Sequence, residues 1–335
     1  MAVNTTGRPN DDGSGAGDDR QVLVTAGGGD QAPARGSGSA GASPGRDTTQ
    51  GRRTTPWLFL LIPLGFLIVF TYIPVGNMVW YSVTSWDGRD PVKEFVGLDN
   101  YVQIFTRPEL FEVFFVSLYY VGGSFVQMAL ALYFATVLSF KTRFRNFFKG
   151  VIFFPYLLNG VAIGLVFLYF FRPGGTLDAV LALVGVQEPP QWLGDPSMVN
   201  YSLAATSVWR FMGLNFVLFL GAIQSIPSEL YEAADIDGAN SWDKFRYIIL
   251  PGIRQILGLS FILAISGALS VFEIPYIMTG GANGSETFVI QTVNTAFKFS
   301  KVGLASAMAV VLLIIVLVFT WIQRKLFADD KVDLV

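Results

Sequence analysis

The sequence predicts an all-α polytopic membrane protein with six transmembrane helices and both termini in the cytoplasm. Three observations carry this. Of 335 residues, 52% are hydrophobic and only 14% are charged, against roughly 25% charged in soluble domains. Charge-free runs occur at 54–86, 113–140, 150–171, 211–228, 255–272 and 302–323. A bilayer core about 30 Å thick needs about 20 apolar helical residues, so each run, two of them extended past a single charge, supplies one crossing. Finally, 16 of the 23 Lys and Arg fall on one side of the resulting topology and six on the other. The positive-inside rule assigns the richer side to the cytoplasm.

Residues 1–55 come first. They hold no aromatic residue, 12 of the 35 glycines, and six Asp balanced by six Arg. Such a segment buries too little apolar surface to offset its chain entropy, so a disordered cytoplasmic tail is expected. No apolar stretch precedes Trp57, which argues against a signal peptide. Residues 56–110 form the first transmembrane helix and an outer loop, 111–326 the core, and 327–335 a cytoplasmic C-terminal tail. The expected spans are 57–80, 112–138, 150–171, 200–223, 254–278 and 302–325. Between the second and third, Lys141, Arg143, Arg145 and Lys149 give the clearest local orientation signal. Leu177 to Val186 reads as a short interfacial helix.

The cytoplasmic loop at 226–251 differs from the others. Ser225 is placed to cap a helix, with Pro227 near its first turn and Glu229 and Glu232 early, where acids suit the helix dipole. Gly238 suits a left-handed stop, Asn240 a second cap, and Pro251 a position beyond the second helix. Leu230, Ala233 and Ala234 share one face, as do Trp242, Phe245 and Ile249. These stripes pack either on the chain's own membrane helices or on a cytoplasmic partner.

The stretch Glu232-Ala233-Ala234, then Gly238-Ala239, then Ile249-Leu250-Pro251, resembles the EAA loop of binding-protein-dependent ABC importers. Phe95-Val96-Gly97-Leu98-Asp99-Asn100-Tyr101, Trp192-Leu193-Gly194-Asp195-Pro196, Ser225-Ile226-Pro227, Thr279-Gly280-Gly281 and Thr295-Ala296-Phe297 fit the same family in order. The likeness covers about 56–327 and is strongest to maltose-transporter-like sugar permeases, without the large outer domain some of them carry. It implies the type I importer permease fold and residence in the bacterial cell membrane as a multi-pass protein. It also implies an alternating-access pore made with a second homologous permease subunit. The further partners it implies are two ATPase subunits, an extracytoplasmic sugar-binding protein and membrane lipid; no nucleic acid is expected. Coupling to the ATPases falls to Glu232, Ala233, Ala234, Gly238, Leu250 and Pro251. The chain has no Gly-x-x-x-x-Gly-Lys-Ser/Thr phosphate loop, so ATP is expected on the partner subunits and no cofactor or enzymatic activity on this one.

Arg210 and Glu273 are the only charges well inside the expected spans. Intramembrane charges are costly and face a cavity, one another or the headgroups. In maltose-type permeases, sugar contacts come from the fourth and fifth spans near a Trp 18 residues before the loop proline, the place Trp209 holds relative to Pro227. Aromatic faces stack on sugar rings while hydroxyls need polar partners, and Ser207, Arg210, Asn215 and Ser270 are placed to supply them. The Arg210-Phe211 pair after the Trp departs from the maltose pattern. The expected path is therefore Ser207, Trp209, Arg210, Asn215, Ser270 and Glu273, and the cargo a di- or oligosaccharide. With no Cys and no His, a disulfide framework, Cys or His metal sites, a Ser-His-Asp triad and a Cys nucleophile are excluded. An ion-coupled secondary transporter is the competing class; it requires midplane carboxylates or broken helices, and no acid lies near the middle of an expected span. A channel, the third class, has no need of the 226–251 loop.

Overall fold

The computed structural model describes residues 55–140 and 143–327. The expected disordered tail, the C-terminal tail and Lys141 lie largely or wholly outside these residues. Among the described residues the chain is helical, with a single β-bridge between Thr84 and Phe95. That is the expected solution in hydrocarbon, where a helix satisfies every backbone polar group within its own segment.

The first span is α1 (Thr55–Leu67), a π-turn (Ile68–Tyr72) and α2 (Ile73–Ser82) in one continuous run. Pro74 has no N–H for the carbonyl of Phe70, and the chain widens there, with Ile73 N–H donating to Ile68 O. Nearly every side chain from Phe59 to Val79 is turned outward, and the span is tied down at its far end. There buried Asn100, in α3 (Asp99–Thr106), donates through Nδ2 to Ser82 O at 2.9 Å and Thr84 O at 2.8 Å.

A short α4 (Pro108–Phe111) leads into α5 (Val113–Ser139), the second span. The third span departs from expectation. Instead of one crossing over 150–171, α6 (Arg145–Leu157) and α7 (Gly160–Phe171) meet at a 99° bend. Pro155 weakens the last turn of α6. Leu158 and Asn159 then turn extended, and the Asn159 side chain accepts from Val161 N–H at 2.8 Å, restarting the helix.

α8 (Thr176–Leu183) is the short helix expected at 177–186. Asp195 then sets up the fourth span: its carboxylate accepts from both the backbone N–H and the hydroxyl of Ser197, which holds its pKa below the usual carboxylate range. α9 (Val199–Gln224) is the central element, packed along α5 and against α6. Gly213 permits the α6 approach, since a Cβ there would lie 2.7 Å from Ile152 O.

The loop beyond α9 contains α10 (Ser228–Ile236), α11 (Ser241–Lys244), a π-turn (Phe245–Ile249) and α12 (Leu250–Gly252). Two details differ from expectation. Ser225 closes α9, its hydroxyl donating to Ala222 O, and Pro227 occupies the cap position of α10. Pro251 lies within the second helical stretch, because the π-turn, with Leu250 N–H on Phe245 O, carries the helix through to it.

The fifth span is α13 (Arg254–Leu269) and α14 (Glu273–Thr279), interrupted at Ser270–Phe272. The Val271 carbonyl exposed by the interruption accepts from Thr287 Oγ1 at 2.9 Å. α15 (Phe288–Val293) and a third π-turn (Asn294–Lys298) precede α16 (Val302–Phe327), the last span. The six apolar runs thus appear as five continuous or nearly continuous spans and one bent pair. Three apolar clusters hold them together. Phe216, Phe219 and Ile223 of α9 pack with Ile249 and Ile253; Leu203 and Tyr120 with Ile274; Phe288 with Ile104 and Met308.

Candidate functional site

α9 presents three different faces to three different surroundings. Ser207, Phe211, Leu214 and Asn215 recur at i, i+4, i+7 and i+8 and line a cavity of 190 Å³. Across it stand Tyr120, Ser124 and Gln127 of α5, again on one helical face, with Tyr156 of α6 and the 263–271 stretch closing it. Four hydroxyls and two carboxamides therefore converge within the bundle. Ser124 is satisfied by Val121 O in its own helix at 2.7 Å. The buried hydroxyls of Tyr120 and Ser207 have no partner among the described residues, and in hydrocarbon such orphans are costly unless a solute or water serves them.

Trp209, two residues from Ser207, points the opposite way. It faces an apolar groove of 1110 Å³ between α5 and α9, with Leu118, Gly122, Val126 and Met212, and its ring lies 5.1 Å from that of Phe167. The structure therefore does not bring Trp209 together with the other expected path residues. Two positions along a helix differ by about 200°, so the separation is inherent in the spacing. The residues missed, Tyr120, Ser124 and Gln127, carry a signal: polar side chains at i, i+4 and i+7 in an otherwise apolar run.

The third face carries Arg210. It lies 11 residues after Val199 and 14 before Gln224, about 16 Å and 21 Å from the helix ends at ~1.5 Å per residue. Its Nη1 donates to Glu273 Oε2 at 2.7 Å, with side-chain exposures of 14% and 42%. Glu273 opens α14, immediately after the interruption in the fifth span. The pair rests on Gly160, the first residue of α7, where a Cβ would fall 2.0 Å from Glu273 Oε2 and 2.2 Å from Arg210 Nη1. Two half-helix N-termini thus meet at one ion pair, and the partial positive charge at each favours the carboxylate. A recess lined by Arg210, Phe211, Gly267, Ser270 and Glu273 adjoins the polar cavity, sharing Phe211, Gly267 and Val271 with it. Ser207 and Asn215 accordingly border the cavity, and Arg210, Ser270 and Glu273 the recess next to it. No group of metal-ligating side chains occurs among the described residues.

The 226–251 loop is a rigid unit. α10 ends in a Schellman arrangement, with Ala239 N–H on Ala234 O at 2.9 Å, Gly238 N–H on Asp235 O at 3.2 Å, and Gly238 at φ +76°. Asn240 and Asp243 form a reciprocal capping box at the start of α11. Lys244 pairs with Asp235 across the two helices. Phe245, Ile249 and Tyr231 anchor the unit on the α9 cluster. Leu230, Glu232, Ala233, Gly238, Leu250 and Pro251 are exposed and Ala234 half-buried. Leu230 is 51% exposed and Trp242, at the start of the second stripe, 64%, and Ile236 and Tyr247 beside them are also open, so the unit leaves an apolar surface uncovered while Phe245 and Ile249 pack inward.

Residues 127–328 match the model of a protein family described as the inner membrane component of binding-protein-dependent transport systems. Among similar proteins, the "Probable ABC transporter permease protein YurN" of Bacillus subtilis is 36% identical over 283 residues, covering 82% of this chain and 97% of its own length. The multiple sugar-binding transport system permease protein MsmF of Streptococcus mutans is 32% identical, covering 81% and 94%. A solved bacterial ABC transporter involved in import of the acidic polysaccharide alginate contains a chain with TM-score 0.73 and 19% identity, covering 83% of this chain and 96% of that one. With most of its length matched at these levels, the chain belongs to the family of membrane-embedded permease components of binding-protein-dependent ABC importers.

Proposed function

We propose that the chain forms half of the translocation path of an ATP-driven importer of sugars, di- or oligosaccharides in particular. The observation that carries this is the cavity in which the polar side chains of Tyr120, Ser124, Gln127, Ser207 and Asn215 meet inside an apolar bundle. Hydroxyls and carboxamides both donate and accept, which suits the hydroxyls of a sugar, while Phe211 and Tyr156 offer faces for its C–H surface. At 190 Å³ the cavity is smaller than ligand sites of about 300–1,000 Å³. That size supports a path completed by a second homologous permease subunit. The names of relatives such as MsmF support the sugar reading.

Coupling is assigned to the 226–251 loop, seated on two partner ATPase subunits through Glu232, Ala233, Ala234, Gly238, Leu250 and Pro251. Its exposed Leu230, Ile236, Trp242 and Tyr247 are the surface such a partner would cover. A binding protein on the opposite side delivers the solute, ATP stays on the partner subunits, and this chain needs no cofactor. The loop and both termini then face the cytoplasm, in keeping with the Lys and Arg bias.

The test is uptake of labelled neutral mono-, di- and oligosaccharides by cells with and without the chain, repeated with Gln127→Ala/Asn215→Ala. At least one sugar is expected to depend on the chain, with the double substitution lowering its uptake about tenfold while the subunit still assembles. A panel whose uptake is the same with and without the chain overturns the sugar reading.

A further inference from the structure

The pairing of Arg210 with Glu273 has a chemical consequence for what can pass. We propose that the two form a charge-neutral selectivity element of the solute path, admitting uncharged polyhydroxylated solutes and rejecting carboxylated ones, and that Gly160 is the positioning residue that seats it. This rests on the reading of the cavity as the solute path.

The argument begins with what the pair leaves unused. Arg210 donates from Nη1 to a single carboxylate oxygen, Oε2. Its Nε is buried and has no partner among the described residues. Glu273 keeps 42% of its side chain exposed, and the recess it borders adjoins the polar cavity. The element therefore presents an open carboxylate to a recess that Arg210 also lines. A vicinal diol matches this, one hydroxyl donating to the carboxylate and the other accepting from the guanidinium.

A carboxylated solute fares differently. It could satisfy Arg210 only by displacing Glu273, leaving that carboxylate desolvated and unpaired, or by lying beside it as a like charge. Either arrangement disfavours the anion. A lone Arg210 in the same place would do the opposite and attract anions strongly, because the surroundings are of low polarity. Glu273 is thus the residue that keeps the path neutral. Gly160 determines whether the two can meet, since a Cβ at that position would occupy the space of both Oε2 and Nη1.

The experiment is equilibrium dialysis of the purified, fully assembled complex against labelled glucose and labelled glucuronate, which share a ring and differ in charge. Wild type is expected to favour glucose. Glu273→Gln is expected to raise the glucuronate-to-glucose binding ratio about tenfold. Arg210→Gln is expected to leave it at or below the wild-type value. Gly160→Ala is expected to shift the ratio in the direction of Glu273→Gln without removing any charge. A wild-type ratio in Glu273→Gln overturns the selectivity element, and a wild-type ratio in Gly160→Ala overturns its positioning role. If Glu273→Gln does not assemble, Glu273→Asp, which keeps the charge but shortens the reach, decides the matter: an intermediate rise supports the proposal and an unchanged ratio overturns it. These outcomes are separate from the sugar reading, which stands or falls on uptake by the wild-type chain.

Discussion

Gly303 shows how one hydrogen atom in place of a methyl group sets the path of the chain. Its N–H donates to Trp86 O at 2.9 Å, and a Cβ would lie 1.9 Å from Thr84 O. The obstacle is backbone, itself held by the buried Asn100 amide, so it cannot rotate away as a side-chain tip could. Gly303→Ala is therefore expected to destabilise the protein by about 2–3 kcal/mol, as overpacking does. Gly221, in the last turn of α9 with nothing within 4 Å of its Cβ position, is the control. There Ala should be neutral or stabilising by up to about 1 kcal/mol through better helix propensity. Thermal unfolding of the two purified variants in the same detergent distinguishes these outcomes; equal midpoints would remove the close-approach argument.

At the scale of elements, apolar length was legible and interruptions were not. A run such as 302–323 announces a helix because its length matches the bilayer and no charge breaks it. Averaged hydropathy is blind to a bend, and 150–171 reads the same whether straight or folded at 99°. The local chemistry was nonetheless present: Pro155 near the end of α6, then Asn159 and Gly160 as cap and first residue. The site was legible in part for a related reason. Ser207, Arg210, Asn215, Ser270 and Glu273 were identifiable as polar groups in apolar spans, but which of them share a space depends on the faces of α9. Trp209 was grouped with them although its spacing from Ser207 turns it away. The break itself is testable. Asn159→Ala removes the acceptor for Val161 N–H and is expected to cost about 1 kcal/mol. Because α7 begins at Gly160, the loss should fray the turn that seats Arg210 and Glu273. Hydrogen exchange at residues 160–163 should rise while α9 amides stay protected; unchanged exchange there would show that the cap is dispensable.

At the scale of the whole molecule, the proposed function divides the bundle into a part that would surround the solute and a part that would receive force, joined by α9. The polar cavity and the ion pair lie on α9's middle turns, and the cluster of Phe216, Phe219 and Ile223 toward its end grips Ile249 and Ile253 beyond the loop. On that proposal, a push on the loop would reach the spans through these packed side chains. This predicts a separation of effects. Gly238 sits at φ +76° with open space around its Cβ position, so a substitution there acts through the backbone and not through a clash. A β-branched residue disfavours that conformation by roughly 1–2 kcal/mol, enough to reorient α11 against α10. Gly238→Val should leave the spans inserted and the cavity intact yet weaken co-purification of the ATPase subunits, or their stimulation by solute-loaded binding protein, severalfold. Glu232→Lys, on an exposed face of α10, should act on docking alone, since it reverses a charge without disturbing the fold. Uptake and stimulated ATP hydrolysis, measured in reconstituted complexes, are expected to fall together in both variants, while glucose binding by equilibrium dialysis stays at the wild-type level. Wild-type stimulation in both would detach the loop from coupling; loss of glucose binding in both would mean that loop and cavity are one structural unit and not two joined ones.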